Sequence, residues 1–430
     1  MNVDHLTQLN NSVFVSRLHV AMFTNVYRPL SNGVVTSVAS FRRGLVERGH
    51  VVYVMAPHAP EDHRDEERFV FRYPALELPL QRYPLTLPVS PFVDHLLPRL
   101  QPDILHAHHP VMLGRVAAKK SRQLRIPLVF TYHTRYHEYS HYVKGVPEHL
   151  VKEFLENWLA HFMRRCHHVI VPSHSIRLML EDIYGISKRV SVLATGVELA
   201  QFGQLTRQQA RRELGWSLEP LTVVSVGRLA KEKNWELMLR AFREVAIEEP
   251  SVQLTIVGGG EEKGSLERFC AELGIAEQVT FTGPVLYEEI STYLSACDIF
   301  CFASVTETQG LATLEAMASG LPVVAVEASG TSDVVTHGKE GFLTACDYKA
   351  LGAQLRRLVT DRELRESFGQ AGRKHAGGYS VESQSACLEE IYRVALADYE
   401  AGYRVPVQTD ESTTGLRKFF SYFNRDNQVS

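Results

Sequence analysis

The 430-residue sequence has no run of 18 apolar residues, and its N-terminus lacks a basic stretch followed by a continuous apolar core. Those absences argue against a membrane-spanning helix and a secretory leader. Cysteine is scarce: the six, Cys166, Cys270, Cys297, Cys301, Cys346 and Cys387, form no CxxC pair and no regular framework. Reduced thiols in a cytosolic protein are therefore expected. Neither a GxGxxG dinucleotide fingerprint nor a GxxxxGK[ST] phosphate loop occurs, which counts against a dehydrogenase or a P-loop NTPase. Neither sign of charge is in large excess, with 46 Lys+Arg against 49 Asp+Glu. The net −3 nevertheless hides an asymmetry, with 23 Lys+Arg against 17 Asp+Glu in residues 1–200 and 23 against 32 in residues 201–430. The first half could face an anionic partner, although uneven scatter explains the difference equally well.

What is present is the composition of a globular protein, 45% hydrophobic and 22% charged, in a chain long enough for two cores. Short β-rich runs recur at 18–24, 50–57, 103–108, 127–133, 168–173 and 190–196. Helix-length amphipathic segments such as 34–48 and 147–165 separate most of them. Strands alternating with helices predict a parallel, doubly wound α/β sheet. The polar stretch 197–220 contains no strand, and the alternation then restarts at 221–229, 252–260, 278–283, 298–304, 322–327 and 341–344. The predicted organisation is an extension over 1–16, a first Rossmann-like domain over 17–196, a linker over 197–220 and a second domain over 221–380. A helix over 381–404 and a polar tail over 405–430 follow. Two such sheets leave a cleft between their carboxyl edges, where open α/β sheets bind ligands.

Several motifs fall at those edges. "GRLAKEKN" follows the first strand of the second domain, where Gly227 permits a tight turn and Arg228, Lys231 and Lys233 supply cations suited to a diphosphate. An ordinary solvated loop is the alternative. "VGGGEE", with Gly258, adds a turn in which backbone can approach a ligand closely. "TETQGLATLEAMASG" reads as a loop running into a helix whose free amides around Gln309, Gly310 and Leu311 can donate to phosphate or sugar oxygens. Glu307 lies before that helix, beside Thr308, within reach of a sugar. Glu315 lies about one and a half turns in, placed to accept from a ribose diol. An unpaired carboxylate at an apolar helical position is costly, which favours a ligand over an incidental charge.

In the first domain, "YRPLSNGVVTSV" is a loop entering a helix with Gly33 at its start. "TYHTRYHEYSHYV" places His133 just past a buried strand edge, followed by Tyr136, Glu138, Tyr139 and His141 as acceptor-side candidates. The spacing of His133, His137 and His141 makes a zinc site conceivable, but the segment reads as a loop without a further ligand, and no metal is expected.

In this combination the motifs resemble the retaining glycosyltransferases of family 4, of the GT-B fold, over most of residues 17–400. The features are the glycine loop at Gly33, His133 in "TYHT", Arg228 and Lys233 in "GRLAKEKN", and Glu307 and Glu315 in an E-x7-E pattern. "TETQG", "TYHTRYHEYSHYV" and "YRPLSNGVVTSV" look more specifically like bacterial diacylglycerol glucosyltransferases, which are monotopic membrane enzymes using UDP-glucose. The resemblance implies a nucleotide-diphosphate-sugar donor, no cofactor or metal, and transfer with retention to a lipid or small hydroxyl acceptor. It assigns the diphosphate to Gly33, Arg228 and Lys233, sugar hydroxyls to His133 and Glu307, and the ribose to Glu315. Gln309 stands where many members carry Phe, so it is expected to bear on the choice of hexose. A small soluble acceptor, or a non-catalytic sugar-nucleotide-binding protein, are the alternatives.

No nucleic-acid partner is expected, and a cytoplasmic location leaves attachment to the inner face of the plasma membrane open. Three segments bear on such a surface: five basic residues over 114–125, the stripe Phe154, Trp158 and Phe162, and "LRKFFSYF" over 416–423. For the stripe, a place in the core is the stronger reading from spacing alone.

Overall fold

The computed structural model describes residues 17–405 apart from 61, 77–84, 137 and 139–146. The first sheet contains β1 (His19–Phe23), β2 (Val51–Pro57), β3 (Val70–Tyr73), β6 (Ile104–Ala107), β7 (Leu128–Thr131), β8 (His168–Val171) and β9 (Val190–Val192). Two short strands, β4 (Ala75–Leu76) and β5 (Leu85–Thr86), form a separate antiparallel ribbon. The seven main strands are parallel in the order β3-β2-β1-β6-β7-β8-β9. The second sheet orders β12 (Val279–Gly283), β11 (Gln253–Val257), β10 (Thr222–Val226), β13 (Ile299–Phe302), β14 (Val323–Val326) and β15 (Gly341–Thr344), again all parallel. Helices cover both faces of each sheet, so the central strands are buried along their whole length rather than on alternate residues. All seven residues of β2 are buried. In both sheets the strand order reverses direction beside the first strand, β1 or β10, and that reversal opens a crevice at the carboxyl edge.

The helix Val381–Glu400 returns to the first domain. It packs on the helix Gly33–Glu47 and sends Leu388, Ile391, Tyr392 and Ala395 into the core beneath β1 and β2. Its buried Glu389 accepts from Arg48 at 2.9 Å and sits 3.0 Å from His50 Nε2, which fixes the crossing by charge as well as by apolar contact. The two passages between domains lie side by side: the Val197 amide donates to the Tyr379 carbonyl at 2.7 Å, and a Cβ on Gly196 would sit 2.5 Å from Val381 Cα.

Two segments depart from the reading of the sequence. The strand Val70–Tyr73 carries little signal in the sequence, because it follows a charged stretch and forms an edge. Residues 197–220 are not a bare connector: the helix Arg207–Glu213, opened by a Thr206/Gln209 capping box, packs on the helix Tyr287–Ala296 of the second domain. Its Arg211 is fully buried and donates to Ala296 O at 2.7 Å, Thr222 Oγ1 at 2.9 Å and Asp298 at 3.1 Å. A helix anchored by one buried guanidinium leaves little apolar periodicity to read. On the helix Glu148–Met163, Phe162 is buried 5.1 Å from the Phe130 ring and Trp158 packs on the same core. At those two positions the stripe faces inward, as its spacing favours. On the helix Leu113–Leu124, Arg115, Lys119 and Arg122 are exposed, while Lys120 pairs with Asp94 at 2.7 Å. The segments 1–16 and 416–423 lie outside the described residues.

Candidate active site

The carboxyl edges of the two sheets face each other across a cleft of about 1340 Å³. Its walls include Gly33, His133, Tyr136 and Glu138 from the first domain. From the second come Gly227, Arg228, Lys233, Gly258, Glu307, Thr308, Gln309, Gly310, Leu311 and Glu315. Tyr139 and His141 lie outside the described residues. Residues scattered over almost 300 positions converge because parallel strands all end at the same edge.

On the first wall, Asn32 caps the helix Gly33–Glu47 by accepting from the Val34 and Val35 amides, both at 3.0 Å. A Cβ placed on Gly33 would meet no atom within 4 Å. The fold itself therefore does not demand glycine there, and the open space belongs to the cleft. Gly258 is the opposite case: its φ is +142° and a Cβ would lie 2.1 Å from the Gly227 carbonyl oxygen. Its first role is to let the turns after β10 and β11 approach each other, rather than to admit a ligand.

The cations occupy the positions expected of them, but carboxylates hold them. Lys233 Nζ forms an ion pair with Glu307, and Arg228 pairs with Glu232 and lies 3.7 Å from Glu261. Burial alone would raise the Glu307 carboxyl. The Lys233 ammonium beside it, with Ser304, reverses that and holds it below the usual carboxylate range. An arriving diphosphate would draw Arg228 and Lys233 from these partners, exchanging one set of charge-assisted contacts for another.

The helix Leu311–Ala318 starts at Gly310 in the left-handed region, φ +74°, with no side-chain cap. Its first amides are thereby left for a ligand at the positive end of the helix. Glu315, only 3% exposed, accepts a 2.8 Å hydrogen bond from the Tyr287 hydroxyl. Burial pushes the Glu315 carboxyl up to about 7, although the Tyr287 bond works the other way. The carboxyl lines the cleft with a partner on one oxygen, the arrangement a diol could complete.

Gln309 lines the cleft and also bridges the two domains. Its side-chain Oε1 accepts from the Thr195 amide at 2.7 Å and its Nε2 donates to the Thr195 carbonyl at 2.9 Å. Both ends of the amide are thus occupied by backbone of the first domain, and Thr195 in turn donates to Ser37 at 2.9 Å. The residue clasps the domains together, which commits one donor and one acceptor of its amide to backbone while its side chain still lines the cleft. Glu138 is also committed: Arg135 donates to it at 2.8 Å while donating to Ser329 of the second domain at 3.1 Å. Tyr136 lines the cleft while packing against the first domain's core.

Sequence reasoning missed Arg135, Tyr287, His108 and His109. His108 and His109 stand in "HAHHP" after β6, a signal visible once that strand is placed at the cleft edge. His108 Nδ1 lies 2.9 Å from His133 Nε2, with the rings stacked, and Thr308 Oγ1 donates to the His133 carbonyl at 3.0 Å. Burial, with neighbouring imidazoles, pushes His133 well below the usual histidine range, so it is neutral. The segment His137–His141 also spells HExxH, but both of its histidines are outside the described residues. Among the described residues, no group of three His, Cys, Asp or Glu side chains is placed to hold a metal ion. Among the same residues, no helix is long and apolar enough to cross a membrane.

Comparison with known proteins follows the same division. A family model described as "Glycosyltransferase Family 4" matches residues 31–201, and "Glycosyl transferases group 1" matches residues 206–375. An alpha-monoglucosyldiacylglycerol synthase of Streptococcus pneumoniae is 30% identical over 81% of this chain and 80% of its own length. One from Acholeplasma laidlawii is 29% identical over 76% and 84%. A GDP-mannose-dependent alpha-mannosyltransferase of Corynebacterium glutamicum is 31% identical over 76% of each chain. Among solved structures, a sucrose-phosphate synthase of Thermosynechococcus elongatus superposes with a TM-score of 0.76 at 22% identity, covering 89% of this chain and all of that one. Anabaena HepE in complex with UDP-glucose gives 0.69 at 19%, covering 88% and 100%. These likenesses show the fold.

Proposed function

Because the chain belongs to the group 1 and family 4 glycosyltransferases, of the GT-B fold, we propose that it transfers glucose from UDP-glucose to the hydroxyl of diacylglycerol or a related lipid at a membrane surface. Transfer would proceed with retention and without a metal ion. The observation that carries the reading is the convergence in one cleft of Arg228, Lys233, an uncapped helix start and the buried Glu315. Relatives named as glucosyldiacylglycerol synthases support the lipid acceptor.

In this reading the donor lies along the helix Leu311–Ala318, with ribose on Glu315 and diphosphate on the helix amides, Arg228 and Lys233. Charge builds on the diphosphate as the glycosidic bond breaks, so fixed cations there lower the barrier more than they tighten ground-state binding. Glu307 and His133 hold the sugar. The acceptor hydroxyl approaches from the face the diphosphate leaves, and a phosphate oxygen takes its proton. Once the diphosphate draws Lys233 away, the Glu307 carboxylate is released to accept from sugar hydroxyls. The exposed Arg115, Lys119 and Arg122 would meet anionic lipid headgroups.

A thermal-shift screen against UDP-, GDP- and ADP-glucose and GDP-mannose tests the donor, because a ligand favouring the native state raises its apparent stability. UDP-glucose is expected to give the largest rise, unchanged by EDTA. A larger rise with GDP-mannose, or loss of the effect with EDTA, would contradict the reading.

A further inference from the structure

Among the described residues, two imidazoles line the cleft, His109 and His133, and each has one ring nitrogen engaged by a neighbour. For His109 that neighbour is a backbone amide: Asn25 N–H donates to Nδ1 at 3.1 Å. An amide can only donate, so Nδ1 carries no proton and the ring's hydrogen sits on Nε2. For His133 the neighbour is His108, whose Nδ1 lies 2.9 Å from His133 Nε2. Either nitrogen could be the donor, but the far side of His108 decides between them. His108 Nε2 is buried without a hydrogen-bond partner. An orphaned buried N–H is rarer than an unsatisfied acceptor, so His108 carries its hydrogen on Nδ1 and gives it to His133. His133 Nε2 is then the acceptor, and the hydrogen of His133 sits on Nδ1.

We propose that the cleft carries two neutral imidazoles locked as hydrogen-bond donors, His109 through Nε2–H and His133 through Nδ1–H, both serving oxygens of the bound sugar. His108 acts as the positioning residue that fixes the second. The proposal rests on the glycosyltransferase reading for its ligand, but the locking follows from the protein alone. Burial pushes His109 to about 4 and His133 well below the usual range, in keeping with neutral rings at working pH. A ring whose one nitrogen is engaged as an acceptor and whose other already bears a hydrogen cannot take the acceptor's proton. The two histidines therefore orient the sugar, and deprotonation of the acceptor falls to another group.

Nitrogen-15 spectra of the full chain labelled at histidine test this directly. In the free protein at neutral pH, His133 is expected to show a protonated Nδ1 and an unprotonated Nε2, and His109 the reverse. The opposite tautomer at either ring, or titration near neutrality, would overturn the proposal. Adding UDP-glucose is expected to move both protonated nitrogens, whereas UDP alone leaves them in place. If UDP-glucose stabilises the protein yet moves neither, the sugar contact is wrong. If no nucleotide sugar binds, the transferase reading fails together with the sugar contact, while the free-protein spectrum still decides the tautomers. His108→Asn, which keeps an N–H near the place of Nδ1, is expected to hold kcat within about threefold. His108→Leu, which removes one donor, is expected to lower kcat about tenfold with the donor KM little changed. It should also split the His133 signals between tautomers. Equal loss in both variants, with the His133 tautomer unchanged, would assign His108 a packing role only.

Discussion

Glu315→Gln removes one ionisable group from the buried wall of the donor site, and its consequences can be worked from the structure. The Glu315 carboxyl titrates at about 7 in the folded protein against an ordinary 4.5, with burial the main cause. A carboxyl raised in the folded state binds more protons there than in the unfolded chain between those two values. Stability is then lost as pH rises through that window and stays level above it. The shift corresponds to about 3 kcal/mol. Chemical denaturation of wild type and Glu315→Gln between pH 4.5 and 8.5 should therefore show the variant gaining on wild type by about that amount as pH rises. Nucleotide binding should run the other way. Ribose hydroxyls donate to the ionised carboxylate, so UDP binding near pH 7 should release protons, a release that calorimetry in buffers of different ionisation heat can count. Glu315→Gln should bind UDP more weakly and release none. A stability difference between the two proteins that is flat with pH would refute the assigned burial and ionisation of Glu315.

Gly33→Ala is expected to fold with unchanged stability but bind UDP-glucose poorly, because only the cleft receives the new methyl; Gly258→Ala should lose stability, since its Cβ would strike the Gly227 carbonyl. Denaturation and thermal shift on both variants check the contrast. Lys233→Ala is expected to slow turnover by about 100-fold or more, the scale of losing one group that stabilises developing charge, with a smaller change in donor KM. Steady-state kinetics separate the two. Gln309→Ala is expected to cost about 1–3 kcal/mol of stability, leaving the Thr195 amide and carbonyl without partners, while the preference among donor hexoses stays that of wild type. A changed hexose preference in that variant would support the sugar-contacting role read from the sequence.

The fold was legible because its central strands are apolar runs bounded by turn residues, and that pattern identifies parallel strands and their carboxyl ends. Placing Arg228, Lys233, Glu307 and Glu315 at one edge needed only the alternation and the rule that parallel strands share a binding edge. What stayed hidden depends on pairing across the chain. The Gln309 amide looks like a polar group near a ligand until Thr195, 114 residues earlier, is seen to occupy both of its ends. Arg211 reads as a surface charge in a polar stretch, yet is fully buried by four hydrogen bonds. Tyr287 carries no motif of its own, and only the folded chain brings its hydroxyl to Glu315. Glycine offered half the answer: Gly33 and Gly258 look alike in sequence, and only the space around each separates a ligand contact from a backbone crossing.

Product analysis tests the central claim most directly. The purified protein would be incubated with UDP-glucose and vesicles containing diacylglycerol and anionic lipid, in EDTA, and the glycolipid examined by proton NMR. An α-glucosyl diacylglycerol formed in step with UDP release is the expected result. A β-linked product, or UDP-glucose consumed only when a soluble polyol replaces the vesicles, would contradict it.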